Sequence, residues 1–175
     1  MFKRIGLLVA VYCISGTLMA VEVGDIAPEF IGLDEYGNEV SFPELIDGKP
    51  TIMVFWATWC PYCTAFMPYL EQIQKDYGEE SINAVMINHK ERGEGDPAAY
   101  IKSLNFSVIA VLEGDPIGDA YTVDFIPGLM IADADGVLAW KRESTDLPAG
   151  RQVAEFWDMK VREQLDKMLR QRAER

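Results

Sequence analysis

Two cysteines, Cys60 and Cys63, are the residues of this sequence whose type and spacing could do chemistry. They end the segment "FWATWCPYC", in which an apolar run leads directly into the pair. Cysteines at this spacing can bind a metal ion, form a small structural disulfide, or exchange electrons with the disulfide of another molecule. The spacing alone does not choose among these chemistries, so the rest of the chain has to decide.

A purely structural disulfide is the weakest of the three interpretations. A bond between residues three apart closes a tiny loop and contributes little through chain entropy. The chain has one further cysteine, Cys13, which lies in an apolar segment that we expect to be removed from the exported protein. Hydrophobic residues make up 49% of the sequence, so a sizeable core can form without a disulfide framework.

Metal binding would depend on the single histidine, His89. A closed zinc site needs four ligands, and residues 21–175 offer two cysteines and this histidine. A copper(I) carrier could use both thiolates and His89, and it remains an alternative. A cysteine hydrolase would also need His89 as its base, with no motif around it. We interpret His89 as a loop residue and expect no metal site.

Thiol–disulfide exchange needs only a reactive thiolate and a second thiol. The apolar segment 49–57 predicts a buried strand, and a helix is predicted immediately after the cysteines by the apolar residues Phe66, Leu70, Ile73 and Tyr77. Cys60 then lies where the helix begins, so free amides and the helix dipole should hold the pKa of its thiol below the ordinary ~8.5. Pro61 suits a first helical turn, and Cys63 lies one turn away on the same side, placed to resolve a mixed disulfide.

Alternating strands and helices predict an α/β fold. Residues 28–42 indicate a β-hairpin around Gly37–Asn38, and Asp96–Pro97 is typical of a helix start. Further strands are predicted over residues 82–88, 106–112, 127–132 and 137–140. We therefore expect a central mixed sheet flanked by helices.

The first twenty residues indicate a signal peptide. Lys3 and Arg4 precede an uncharged apolar stretch, and Ala20 is a small residue suited to the position before a cleavage site. The stretch is short for a membrane span of ~20 residues, which favours a cleaved signal peptide. A retained N-terminal membrane anchor is the alternative. We expect a periplasmic or otherwise exported protein that contacts the membrane only if this segment is retained.

Charge excludes one class of partner. The formal net charge is −12, and residues 21–150 contain seven basic against 23 acidic side chains, so nucleic-acid binding is not expected.

We divide the chain into a signal peptide (1–20), a main domain (21–148) and a C-terminal helical extension (149–175). A helix over about 151–170 is predicted from Val153, Trp157, Val161, Leu165 and Met168, and it either covers the domain or contacts a partner.

Residues 24–141 resemble the thioredoxin superfamily, specifically its exported TlpA/ResA-like branch. The resemblance rests on "GDIAPEFIGLDEYGNEVSFPELIDGKP", on "FWATWCPYC", and on "FIPGLMIADADGVLAW" with the preceding residues 118–121. It implies a thioredoxin-like fold with an added N-terminal hairpin, and a cis-proline, Pro127, facing the active disulfide. It further implies that Ile126 offers backbone hydrogen bonds to an extended substrate.

Two positions depart from the family. Thioredoxin has a buried acid where this chain has Val54, and the ResA-like branch has a glutamate where this chain has Phe66. Neither side chain can carry a proton to the buried thiol, so we expect the step performed by Cys63 to be slow.

The sequence therefore predicts an exported thiol–disulfide oxidoreductase whose only redox group is the Cys60–Cys63 disulfide. Clients would be exported proteins with thiols or disulfides, contacted by Trp59, Tyr62 and the other rim residues Pro61, Ile126 and Pro127. The resemblance favours reduction, as in cytochrome c maturation, with electrons from a membrane thiol donor. A copper(I) carrier and a thiol peroxidase are the alternatives; in the latter, Thr58 stands two residues before Cys60, whereas the peroxidase motif is Thr-x-x-Cys.

Overall fold

The computed structural model describes residues 20–143 and 152–174, so the predicted signal peptide (except Ala20) and residues 144–151 lie outside the described residues. Seven strands and four helices follow one another along these residues. In chain order they are β1 (Phe30–Leu33), β2 (Glu39–Phe42), β3 (Thr51–Trp56), α1 (Pro61–Tyr77), β4 (Asn83–Asn88), α2 (Pro97–Lys102), β5 (Ile109–Val111), α3 (Asp115–Ala120), β6 (Gly128–Ala132), β7 (Leu138–Lys141) and α4 (Val153–Ala173).

A five-stranded mixed sheet forms the centre of the fold, in the order β5-β4-β3-β6-β7. Strands β3, β4 and β5 run parallel, whereas β6 is antiparallel to β3 and β7 is antiparallel to β6. The hairpin β1–β2 forms a separate antiparallel pair, and the Asp34 carboxylate accepts hydrogen bonds from the backbone amides of Tyr36 and Asn38 in its turn. The predicted mixed sheet and N-terminal hairpin are confirmed.

Strand β3 divides the interior into two apolar layers. All six of its side chains are buried, as its continuous apolar sequence predicted. Val54 and Trp56 face a cluster with the cysteines and the α1 side of the sheet, while Met53 and Phe55 face a cluster with the hairpin and α3. This alternation follows from the two-residue period of a strand.

Helix α4 belongs to the same core as the redox pair. Trp157, Val161 and Leu165 are buried in the cluster that contains Cys60 and Cys63. The helix lies along α1, and Arg162 forms a 2.7 Å ion pair with an α1 aspartate. The C-terminal extension therefore packs as part of the main domain and covers its α1 face.

Two short elements were not expected from the sequence. They are a 3-10 turn at Glu44–Ile46, between β2 and β3, and the six-residue helix α3. Within the two described ranges, no helix is both long and apolar enough to cross a bilayer.

Candidate functional site

The two cysteines lie where β3 passes into α1. The backbone amide of Cys60 donates to the carbonyl of Ala57 (3.1 Å), which folds the connection back on itself. Cys60 has an extended backbone, with φ −90° and ψ 103°, and is the N-cap residue of α1, which begins at Pro61. Cys60 and Cys63 are disulfide-bonded, with their Cα atoms 5.2 Å apart. The structure thus places both thiols of the predicted pair at one helix start.

The sulfur of Cys60 takes the place of an N-cap oxygen. The backbone amide of Cys63 donates to Cys60 Sγ at 3.1 Å. An N-cap acceptor satisfies an amide that has no partner inside the helix, and the positive end of the helix dipole favours negative charge there. The same position can stabilise a thiolate on Cys60 when the disulfide is reduced. Exposure is small for both residues, at 2% for Cys60 and 1% for Cys63.

The interior side of the pair is apolar. Val54 and Phe66, the two positions that depart from the thioredoxin pattern, are fully buried in the cluster that holds both cysteines. The ring of Trp157 lies 6.2 Å from that of Phe66. Val54 and Phe66 therefore supply apolar packing beside the pair, and neither position carries a carboxylate.

The solvent side is formed by Pro61 and Tyr62. Pro61 is exposed, and Tyr62 keeps 58% of its surface accessible, as the sequence interpretation expected. The Tyr62 ring has one aromatic neighbour among the described residues, Trp157, at 6.5 Å. Trp59 is half-buried, and its Nε1 donates to the carbonyl of Lys90 at 2.7 Å. The guanidinium of Arg92 stacks 3.5 Å from the Trp59 ring centre, so this side chain is held in place.

The segment before β6 completes the site. The Ile126–Pro127 peptide bond is cis. Pro127 is buried, whereas Ile126 is half-buried and packs against both apolar layers. Within residues 20–143 and 152–174, neither the N–H nor the C=O of Ile126 forms a hydrogen bond. Gly128, at the start of β6, pairs with Phe55 near the end of β3. The unpaired backbone of Ile126 therefore lies at the same end of the sheet as the cysteine loop.

A carboxylate that the sequence analysis missed supports the cysteine loop. Glu91 accepts hydrogen bonds from the backbone amide of Thr58 (2.9 Å), from its hydroxyl (2.6 Å) and from the side-chain amide of Asn88 (3.0 Å). Partial burial raises the pKa of Glu91, but these hydrogen bonds outweigh it and hold the pKa below its ordinary value. Strands β3 and β4 pair in parallel, so the residues after their carboxyl ends lie close together. The sequence predicted both strands, and a carboxylate shortly after β4 could therefore have been expected near the cysteine loop that follows β3.

His89 does not join the cysteines. It follows β4 and is 2% exposed, with Nδ1 3.0 Å from Asp115 Oδ1 and Nε2 3.4 Å from the carbonyl oxygen of Val123. Its ring packs edge-on against Phe55, in the layer opposite the redox pair. Among the described residues, no group of three or more potential His, Cys, Asp or Glu ligands is assembled. Both ring nitrogens are thus engaged away from the sulfurs.

A comparison with protein families matches residues 23–141, which are more than half of the chain, to the AhpC/TSA family. The chain belongs to the AhpC/TSA family. It is 29% identical over 121 residues to the thioredoxin-like protein YneN of Bacillus subtilis, covering 69% of this chain and 71% of that protein. It is 27% identical over 122 residues to the thiol-disulfide oxidoreductase ResA of Bacillus cereus, with 69% of each chain covered.

The fold is shared with solved thioredoxin domains. The thioredoxin domain of a thiol-disulfide oxidoreductase from Bacteroides vulgatus superposes with a TM-score of 0.64 at 20% identity, covering 81% of this chain and 98% of that one. The predicted thioredoxin-like fold and the resemblance to ResA are confirmed. Several relatives of this AhpC/TSA member are named thiol–disulfide oxidoreductases, and their thioredoxin-like fold is the fold seen here.

Proposed function

We propose that the protein is an exported thiol–disulfide oxidoreductase in which Cys60 exchanges with clients and Cys63 resolves the mixed disulfide. The observation that carries this assignment is the Cys60 sulfur at the N-cap of α1, where it accepts the Cys63 amide. Only Cys60 has this helix-start stabilisation, whereas Cys63 lies inside the first turn and against the core. The two sulfurs therefore have different roles.

In the reducing direction, the Cys60 thiolate attacks one sulfur of a client disulfide. The client S–S bond breaks, its other sulfur leaves as a thiolate that takes up a proton, and a mixed disulfide forms. Cys63 then loses its proton and attacks Cys60 Sγ, which re-forms the internal disulfide and releases the second client sulfur as a thiol. Two electrons pass to the client, and the protein ends oxidised as in the structure.

The client chain would be received by the rim of the site. Tyr62 and Pro61 offer exposed apolar surface on one side of the disulfide. Ile126 offers an unpaired backbone N–H and C=O on the other, which an extended chain can use as an edge strand uses its partner. We propose that Trp59 and the buried Pro127 complete this surface. Because Cys60 is only 2% exposed, we propose that the side chains around it, such as Tyr62, move aside when a client sulfur approaches.

The reducing direction and the compartment are supported by the sequence. The basic start and apolar stretch of residues 1–20 favour export, and the relation to ResA proteins favours reduction of selected exported clients, such as cytochrome c apoproteins. Electrons would come from a membrane thiol donor. A redox titration of the Cys60–Cys63 pair against glutathione tests this direction: a potential well below that of glutathione supports a reductant, and one well above it contradicts the proposal.

The division of roles is tested by trapping. Cys63→Ser removes the resolving thiol, so mixed disulfides between Cys60 and clients should accumulate when the variant is expressed with its leader and analysed on non-reducing gels. Cys60→Ser is the matched control and should trap none. In the reduced wild-type protein, an alkylating reagent should modify Cys60 before Cys63. The absence of adducts in Cys63→Ser, or the reverse order of alkylation, would show that the roles are assigned wrongly.

A further inference from the structure

The cis-proline segment, defined here as residues 123–127, connects α3 to β6 beside the redox pair. Its middle residue Phe125 is half-buried and Asp124 is exposed. The segment contains no helix or strand. Contacts from other parts of the chain must therefore fix its position. The Val123 N–H donates to the carbonyl of Gly118 at 2.9 Å, the Val123 carbonyl oxygen lies 3.4 Å from His89 Nε2, and two cations donate to carbonyl oxygens of the segment.

Lys90 holds the first half of the segment. Its Nζ donates to the carbonyl oxygens of Val123 (2.8 Å) and Asp124 (2.7 Å). Its own backbone is fixed as well, because its N–H donates to Asp115 Oδ1 at 2.6 Å and its carbonyl accepts from Trp59 Nε1 at 2.7 Å. One residue thus joins the Trp59 side of the site to the cis-proline segment.

Arg142 holds the second half. Its guanidinium donates to the carbonyl oxygen of Pro127 and lies 4.3 Å from the ring centre of Phe125 and 4.6 Å from that of Trp157. Arg142 is 7% exposed, and burial lowers its pKa to about 10, so it remains charged at neutral pH. The planar cation thus joins the carbonyl of the cis-proline to α4, whose Trp157 also contacts Tyr62.

Cations are scarce in this part of the chain, which makes their location informative. Residues 21–150 contain seven lysines and arginines against 23 acidic residues. Two of the seven, Lys90 and Arg142, donate to carbonyls of the cis-proline segment, and a third, Arg92, stacks on Trp59. The many acidic side chains already make the surface soluble. The location of these three cations beside the site therefore indicates that they have a structural role there.

We propose that Lys90 and Arg142 are positioning residues that clamp the cis-proline segment at its two ends and so set the backbone edge on which a client chain is received. This inference rests on the proposed function. The clamp occupies the carbonyls of Val123, Asp124 and Pro127 and leaves the N–H and C=O of Ile126 without a partner among the described residues. A fixed edge binds an extended chain more tightly than a mobile one, because less entropy is lost on binding.

The clamp should affect peptide clients and not small disulfides. The reduced protein, which supplies the two electrons of a single turnover, is mixed with a short synthetic peptide carrying one mixed disulfide, and separately with bis(2-hydroxyethyl) disulfide, which is too small to lie along Ile126. In this assay KM is the disulfide concentration at half-maximal rate and kcat is the maximal single-turnover rate. Charged hydrogen bonds of this kind correspond to roughly a tenfold change in binding. We expect Lys90→Met and Arg142→Gln to raise KM for the peptide about tenfold with little change in kcat, and to change the rate with the small disulfide less than about twofold.

Conservative and matched variants separate positioning from folding. Arg142→Lys keeps the charge and loses the planar stacking, so its KM should lie between those of wild type and Arg142→Gln. Arg162→Gln is the control: it removes an arginine that ties α4 to α1 through Asp76 but does not touch the cis-proline segment, and KM for the peptide should stay unchanged. Lys90 is exposed, so Lys90→Met provides the test if Arg142→Gln does not fold.

Each result is decisive. Equal losses with the peptide and with the small disulfide, or no loss in Lys90→Met, would overturn the clamp while leaving the proposed exchange intact. A rise in KM in Arg162→Gln as large as in Arg142→Gln would overturn it too, since loosening α4 would then be sufficient. Failure of the wild-type protein to exchange with either disulfide would overturn the proposed function, and the clamp with it.

Discussion

Replacing Trp157 with alanine tests whether α4 is a structural part of the redox domain. Trp157 is 3% exposed, and its ring contacts Phe66 and Tyr62 of α1 as well as the guanidinium of Arg142. These contacts join the last helix to the helix that carries the disulfide. The side chain thus connects the C-terminal region to the cysteines and to the cis-proline segment at one point.

The expected loss is large. Removing a buried tryptophan costs about 3–5 kcal/mol, because transfer energy is lost and a cavity remains. A domain of this size loses roughly 2–4 °C in Tm for each kcal/mol, so the Tm of Trp157→Ala should fall by about 6–20 °C. The aromatic and cation contacts belong to the same side chain and are already contained in this figure. Since domains are stable by ~5–15 kcal/mol, the oxidised variant should still fold.

The assay is urea unfolding of the oxidised protein, with Trp140→Ala as the control. Trp140 is half-buried on the edge strand β7, so its removal should cost only about 1–2 kcal/mol. We expect a lower midpoint for Trp157→Ala with an unchanged slope, which indicates one cooperative unit. If Trp157→Ala is no less stable than Trp140→Ala, α4 contributes little to the core, and the C-terminal region is a separate extension.

Three further predictions concern single positions around the site. Phe66→Glu should speed the step in which Cys63 displaces the client, measured by rapid quenching of the mixed disulfide, at a cost of about 3–5 kcal/mol in stability; an unchanged rate would mean that proton transfer does not limit this step. Because folding holds the pKa of Glu91 below 4.5, its hydrogen bonds stabilise the protein above that pH and are lost as the pH falls through the folded-state pKa. Glu91→Gln should therefore be less stable than wild type at neutral pH, and urea midpoints should converge in acid; a constant difference would contradict the assignment. Gly118→Ala places a methyl group against the buried His89 ring and should cost about 1–3 kcal/mol by thermal unfolding, whereas an unchanged Tm would show that the ring can move at little cost.

Local features of the fold could be predicted from the sequence. The apolar run 49–57 is buried strand β3 and its flanks, and the helical spacing after Cys63 belongs to α1, which ends at Tyr77 with Gly78 as its C-cap. Asp96 accepts the amide of Ala99 as the N-cap of α2. These features depend on neighbours a few residues apart, so periodicity and capping chemistry are sufficient to find them.

Only some of the site residues could be predicted from local sequence patterns. Cys60, Pro61 and Cys63 are consecutive or one turn apart, so their position at a helix start followed from the sequence. Ile126 and Pro127 lie more than sixty residues further on, and only the resemblance to a family connected them to the cysteines. Their client-binding role stays a prediction.

Tertiary structure alone decided what surrounds the pair. Strand β6 inserts between β3 and β7, and this order brings the cis-proline segment to the cysteine loop. Parallel pairing of β3 with β4 brings Glu91 to Thr58, and packing of α4 on α1 places Trp157 between Phe66 and Arg142. Strand order and helix packing arise from the joint burial of distant segments, whose partners no local pattern specifies. The sequence therefore determined the reactive pair, and the assembled sheet determined the residues that hold its surroundings in place.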